Sequence, residues 1–156
     1  MELKRVVITG LGTINPLGNN IRDFFKNLQN GVSGASLIDR FDTSLFKTKF
    51  ACEVKDFDPA NFGIDRKEAR KLDRFTLFAL AATSEAIDDC KLDLEKVDKT
   101  RVGVIIGSGI GGIETLTQEI MGYCEGGNIP RFNPFLIPKL IPDIAAGCIS
   151  IKYGFM

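Results

Sequence analysis

Three glycines with the spacing of a dinucleotide-binding fingerprint follow an apolar run in the middle of the chain. Gly107, Gly109 and Gly112 come directly after the run Val102 to Ile106. In a dinucleotide site an acidic residue about 20 positions further on binds the ribose hydroxyl. The sequence at that distance, GYCEGGNIPRFNP, contains no apolar strand, and its Glu125 precedes two glycines. We therefore expect these glycines to permit close backbone packing, and we expect no bound NAD, NADP or flavin and no other cofactor.

The chain contains four cysteines and no histidine. Cys52, Cys90, Cys124 and Cys148 form no Cys-x-x-Cys pair, so they predict neither a zinc ribbon nor a redox motif, and we interpret them as buried thiols. Without histidine the chain cannot form a Ser-His-Asp or Cys-His pair or a histidine-ligated metal site. We expect no metal site within it.

The overall charge balance excludes a general attraction to polyanions. The 156 residues, the size of one domain, include 20 basic and 20 acidic side chains. Any electrostatic site must therefore be a local cluster, and we expect neither a nucleic acid nor a membrane partner. The first apolar run, Val6 to Thr9, is broken at Gly10 after four residues, which is too short for a signal-peptide core or a membrane span. A cytoplasmic location is expected.

Two runs rich in β-branched residues predict two strands, the second of which precedes the glycines at 107, 109 and 112. Residues 5–12 (RVVITGLG) and 100–109 (TRVGVIIGSG) are continuous apolar runs ended by glycines, as in parallel strands buried on both faces. Gly10 and Gly12 also begin a fingerprint, but Asn15 stands where its third glycine belongs, so we expect close backbone packing at this glycine pair as well. The two strands predict one layered α/β sheet.

Helical spacing and capping residues predict four helices around these strands. They span residues 19–31, 65–90, 112–127 and 142–153, the second with a basic first half and an apolar second half. Residues 32–64 predict an extended loop with one or two short strands. Pro134 and Pro138 predict an irregular segment, and Pro142 fits the first turn of the last helix.

Five segments, in order and spacing, resemble the N-terminal part of β-ketoacyl-acyl-carrier-protein synthases of the type II elongating class. The resemblance implies an α/β fold, the N-terminal part of a thiolase-like αβαβα layered sandwich, and a homodimeric enzyme. In that family a cysteine carries the acyl group as a thioester, and two histidines assist malonyl-carrier decarboxylation and condensation. The segments are RVVITGLGTINPLGN, DRFDTSLFKTKFACEVKDFDP, DRKEARKLDRFTLFAL, RVGVIIGSGIGG and NPFLIPKLIPDIAAGCISIKYG.

The chain departs from this family in its catalytic residues. The resemblance places the nucleophilic cysteine and both histidines beyond IKYGFM, while Cys148 lies in a predicted helix before that nucleophile. We therefore expect residues 1–156 to be the N-terminal portion of a β-ketoacyl synthase domain, incomplete at its C-terminal end. We expect no catalytic residue in it, no condensing activity alone, and self-association through exposed apolar faces.

The resemblance also implies two binding surfaces. It places acyl-carrier-protein docking at Lys67, Arg70 and Lys71, which helical spacing would align along one side. The alternative is a solvated helix face, because Glu68 and Asp73 dilute the positive charge.

The second implied surface is an acyl pocket. Ile110 resembles the family's pocket residue at the dimer interface, and Leu136 and Ile137 resemble its neighbours in the same tunnel. The alternative for all three is ordinary core packing.

Two other functions remain open from the sequence. The chain could be a non-catalytic interaction protein of the same fold that keeps the dimer and carrier surfaces, as a chain-length-controlling partner would. The third possibility is a nucleotide-binding domain. The absence of an acidic residue that would bind the ribose hydroxyl argues against it.

Overall fold

The computed structural model describes residues 4–156. Helix α1 spans Ile21–Gln29, and a short hairpin follows, in which β1 (Ala35–Leu37) pairs antiparallel with β2 (Phe50–Cys52). The further helices are α2 (Arg66–Ala69), α3 (Arg74–Cys90), α4 (Ile113–Glu125), α5 (Leu136–Leu140) and α6 (Ile144–Tyr153). Short 3-10 helices occupy Pro59–Phe62 and Lys99–Arg101.

The predictions for α1 and for residues 32–64 are confirmed. Asn20 caps α1, because its side-chain oxygen accepts a hydrogen bond from the Asp23 amide at 2.8 Å. The hairpin supplies the two short strands, with Ser36 opposite Ala51. Its turn region is tied to α4 by a 2.6 Å ion pair between Arg40 and Glu114.

The prediction of one continuous helix over residues 65–90 is wrong. Asp65 caps α2, which ends at Ala69, and Asp73 caps a second start at α3 by accepting from the Phe75 amide at 3.3 Å. An aspartate favours the cap over the helix interior because its side chain competes for nearby backbone amides. Residues 70–73 between the two helices are called the 70–73 link below.

The core lies between α3 and α6. Leu80 is fully buried there with Ile149, and the cluster is completed by Ile64, Leu77 and Phe155. The small residue Ala145 is fully buried as well, as predicted for close packing.

The proline predictions near α6 need two corrections. Helix α6 begins at Ile144, so Pro142 lies just before it and not in its first turn. The segment predicted to be irregular contains α5, with Pro138 at its third position. A proline in the first turn costs no helical hydrogen bond, because that amide has no partner within the helix.

The two predicted buried strands do not form within residues 4–156. Neither run pairs with a neighbour, and both expose large apolar side chains. Burial alternates over residues 101–105, where Val102 and Val104 pack against the core while Ile105 is 96% exposed. A strand needs a partner for its backbone and for each face, and the described residues provide a partner for one face only.

The N-terminal segment is nevertheless fixed to α3. A Cβ added to Gly12 would overlap the Ala82 carbonyl oxygen, and one added to Gly10 would overlap that of Ala86. The Glu85 carboxylate accepts the amide of Thr13 at 2.9 Å through one oxygen and the first amide of α1 at 2.7 Å through the other. The close packing predicted for this glycine pair is therefore confirmed.

The chain exposes far more surface than a compact monomer. Its accessible surface is 11525 Å², whereas a compact protein of 17.1 kDa exposes about 7,750 Å². Much of the excess is apolar, from the hairpin and the two unpaired runs. Self-association in solution stays a prediction.

In residues 4–156 no helix is long and apolar enough to cross a membrane.

The interpretation of the cysteines as buried thiols is wrong. Cys52 and Cys124 are exposed, and Cys90 and Cys148 are half-buried. Cys52 lies on a hairpin strand and Cys124 on α4, both of which have few neighbours among the described residues. All four are free thiols.

Candidate functional site

The basic cluster, defined here as Lys67, Arg70 and Lys71, lies on α2 and the 70–73 link. All three side chains are exposed, and none forms an ion pair within residues 4–156. Helix α2 ends at Ala69, but Arg70 keeps helical backbone angles and donates its amide to the Arg66 carbonyl at 3.3 Å. The alignment of the three side chains along one side and their docking role stay predictions.

The link brings the cluster against the segment that carries the predicted pocket residues. The Lys71 ammonium lies 5.7 Å from the ring centre of Phe135, within the range of a cation–π contact. Phe135 directly precedes α5, which starts with Leu136 and Ile137. The structure therefore places the predicted docking surface beside one part of the predicted pocket.

The turn that follows Ile110 packs against the other end of α5. Gly112 donates its amide to the Leu140 carbonyl at 3.1 Å, and a Cβ added to Gly112 would overlap the Lys139 carbonyl oxygen. Gly111 has a φ of +73°, which favours glycine. Close backbone packing is thus confirmed at Gly112.

The same packing prediction is wrong for the first two glycines of the fingerprint. A Cβ added to Gly107 or Gly109 would meet nothing within 4 Å. Both glycines belong to the unpaired run described above, which no other described segment approaches at these positions.

The predicted pocket residues are not core residues in this chain. Ile110 is 65% exposed and Ile137 is 59% exposed, while Leu136 is half-buried. The described residues leave their apolar side chains open to solvent. Ordinary core packing is therefore wrong for Ile110 and Ile137 within residues 4–156, and the pocket role stays a prediction.

A buried carboxylate connects the two surfaces and was missed from the sequence. Asp73 accepts a hydrogen bond of 2.5 Å from the Thr115 hydroxyl, which joins the 70–73 link to the first turn of α4. The available signal was the N-cap pattern at Asp73 before RFTLF. The partner Thr115 lies 42 positions away, and no local pattern predicts that pairing.

The surroundings of the Cys148 thiol favour its neutral form. Burial raises the pKa of its thiol above the ordinary value of 9.0, and the nearby negative charge of Glu68 raises it further. A nucleophilic cysteine requires the opposite shift, because the thiolate is the reactive form. Among residues 4–156, no cluster of cysteine and carboxylate side chains could hold a metal ion.

The chain is similar to known proteins over nearly its whole length. A family model described as "Beta-ketoacyl synthase, N-terminal domain" matches residues 3–156. A relative from Synechocystis sp., named 3-oxoacyl-[acyl-carrier-protein] synthase 2, is 43% identical over 154 residues, which cover 99% of this chain and 36% of the relative. The chain thus spans about a third of the length of the curated relatives it matches.

Solved structures confirm the expected fold. The ishigamide ketosynthase/chain length factor matches with a TM-score of 0.86 at 26% identity, over 96% of this chain and 37% of that one. A type II polyketide ketosynthase, solved in complex with its acyl-carrier protein, matches with a TM-score of 0.77 at 27% identity, over 98% of this chain and 40% of that one. The arrangement is the N-terminal part of the thiolase-like α/β sandwich.

Proposed function

Because the chain belongs to the β-ketoacyl synthase family, we propose that it serves a 3-oxoacyl-[acyl-carrier-protein] synthase, which condenses an acyl thioester with malonyl-acyl-carrier-protein in fatty acid elongation. The observation that carries this proposal is the 43% identity to such a synthase over 99% of the chain. We propose further that residues 1–156 form the N-terminal portion of the synthase domain, and that the protein is a cytoplasmic homodimer.

In this proposal the basic cluster receives the acyl carrier protein. Lys67, Arg70 and Lys71 are exposed, and none of them forms an ion pair within residues 4–156. An unpaired cationic patch accelerates association with an acidic partner and loses this advantage as salt screens it. The carrier complex of a structurally similar ketosynthase supports a carrier protein as the partner class.

The chemical step requires groups that residues 1–156 do not supply. Acyl transfer needs a thiolate nucleophile and donors that stabilise the developing oxyanion. The chain has no histidine, and the pKa of Cys148 is raised. We propose that these residues bind and position the substrates, and that the chain alone is inactive.

A fusion protein tests the function directly. Residues 1–156 replace the matching N-terminal part of the Synechocystis synthase, and condensation of acyl- and malonyl-carrier substrates is measured. We expect product from the fusion and none from the 156-residue chain alone. A soluble, folded fusion that binds carrier protein but makes no product would contradict the proposal, as would a labelled cysteine on the isolated chain.

A charge reversal tests the docking surface in the same fusion. Lys67→Glu with Lys71→Glu should slow association with the carrier protein at low ionic strength, and the difference should shrink at high salt. The matched control, Lys26→Glu with Lys47→Glu, makes the same charge change at two other exposed lysines. Equal effects of the two double variants would assign the cluster to a solvated surface.

A substitution at Ile110 tests the pocket. Ile110→Phe in the fusion should reduce the use of long acyl groups and spare short ones, because the ring occupies tunnel volume. An equal loss for long and short acyl groups would indicate general disruption of packing, and would contradict the pocket role.

A further inference from the structure

The 70–73 link contacts residues that lie next to each part of the predicted acyl pocket. At one end, Lys71 lies over the ring of Phe135, the residue before α5. At the other end, Asp73 bonds to Thr115 in the first turn of α4. The link therefore lies between the helix that carries Leu136 and the helix that follows Ile110.

Asp73 is unusual among the helix-capping aspartates because it is buried, with only 8% of its surface exposed. One carboxylate oxygen accepts from the Phe75 amide and begins α3, as a cap does. The other accepts the Thr115 hydroxyl at 2.5 Å and lies 3.1 Å from the position of a Cβ added to Gly112. A charge-assisted hydrogen bond in a buried setting holds its two elements firmly.

The contact continues from Thr115 to the turn that carries Ile110. Gly112 caps α4 three residues before Thr115, and its amide bonds to the Leu140 carbonyl at the end of α5. A shift of the first turn of α4 would therefore move the Ile110 turn relative to α5. The Asp73–Thr115 bond restrains that shift from the side of α3.

We propose that Asp73 is a positioning residue that acts through Thr115 to hold the Ile110 turn against α5, and so sets the acyl length that the pocket accepts. This inference rests on the proposed function. Asp73 contacts no substrate in this scheme. Its role is specificity, because it fixes the distance between the apolar side chains on the turn and those on α5.

The test compares three threonine variants in the fusion protein. Thr115→Val removes the hydroxyl, Thr115→Ser keeps it, and Thr76→Val makes the same change at a fully buried threonine whose hydroxyl has no partner among the described residues. The measured quantity is the ratio of kcat/KM for tetradecanoyl-carrier to that for hexanoyl-carrier.

We expect Thr115→Val to change this ratio by about tenfold, since a misplacement of about 1 Å can cost as much as about a hundredfold in rate even when the mutation is far from the chemistry. Thr115→Ser and Thr76→Val should leave it within about twofold. Equal losses for both acyl lengths in Thr115→Val, or an equal change of the ratio in Thr76→Val, would overturn the proposal.

Hydrogen exchange on the 156-residue chain provides a readout that does not depend on activity. Thr115→Val should accelerate exchange of the Gly112 amide, which bonds to Leu140, more than exchange of amides within α3. Unchanged exchange at Gly112 would overturn the positioning role. A fusion that makes no product while Gly112 is destabilised would contradict the proposed function and leave Asp73 as a structural clamp.

Discussion

The α3–α6 pair and the run at residues 102–106 are both apolar, but they differ in how far their side chains are buried. Leu80 on α3 is fully buried by α6 and its neighbours, whereas Ile105 is almost fully exposed. The helices satisfy their own backbone hydrogen bonds and need a partner for one face only. A strand of a parallel sheet needs neighbours at both edges and on both faces.

An apolar run in a sequence therefore indicates that the segment needs a partner, and it does not indicate that the partner is present. Val102 and Val104 face the core, and the opposite side of the same run is open. Its continuous apolarity is typical of a strand that is covered on both faces. Substitutions at buried and at exposed apolar side chains can be compared by their effect on the free energy of unfolding.

The largest effect is expected from removal of a core side chain. Leu80→Ala should lower the free energy of unfolding by about 2–5 kcal/mol, because the cavity it leaves is enclosed. Ile105→Ala should change it by less than about 0.5 kcal/mol, because that side chain is exposed in the chain. Urea denaturation of the 156-residue chain, followed by circular dichroism, measures both. Similar values for the two would show that residues 102–106 are buried in solution.

A smaller effect is expected where backbone meets backbone. Gly12→Ala should destabilise the chain by about 1–3 kcal/mol, because the added methyl overlaps the Ala82 carbonyl oxygen on α3. Gly107→Ala, which adds the same methyl into open space, should be neutral or stabilise by up to about 1 kcal/mol. A loss of stability in Gly107→Ala would indicate that the open run is packed.

The two hydrogen bonds accepted by the Glu85 carboxylate on α3 are expected to contribute about 1–2 kcal/mol to the free energy of unfolding. Glu85→Gln replaces one acceptor oxygen by an amide that faces the N–H of Thr13 or Ile21. Glu95→Gln makes the same change at an exposed position and should be neutral. The comparison uses thermal unfolding at fixed pH. If the two variants melt together, the N-terminal segment is not fixed to α3 in solution.

The smallest effect is expected from the surface ion pair. Arg40→Gln should cost less than about 1 kcal/mol, because both side chains are nearly half exposed and salt screens their attraction. A double-mutant cycle with Glu114→Gln at low and high salt isolates the pair. A coupling energy that salt does not reduce would contradict this description.

The helix starts were predictable where a capping residue stands alone before an apolar pattern, as at Asn20. Asp73 also precedes an apolar pattern, but the basic residues before it are good helix formers and concealed the break after Ala69. The family was predictable because five ordered segments are more specific than any single motif, and the match to residues 3–156 confirms it.

The remaining features depend on contacts that sequence patterns do not record. The Asp73–Thr115 hydrogen bond and the hydrogen bonds to Glu85 join residues that are 42 to 72 positions apart. The exposure of Ile110 and Ile137 likewise depends on which neighbours are present, and the residue type alone predicted burial. Local sequence patterns predict most of the helices, whereas contacts between distant segments determine what those helices pack against.

The separation of Leu80 from Ile149 has a consequence for synthesis of the protein on the ribosome. The two halves of the core cluster are 69 residues apart in the chain. At a synthesis rate of about 5–20 residues per second, α3 waits about 3–14 s for α6 to be made. During that interval Leu80 and the rest of its apolar face have no partner from α6. The nascent chain is therefore most exposed to aggregation and to chaperone binding in this window, which closes only when Ile149 has left the exit tunnel.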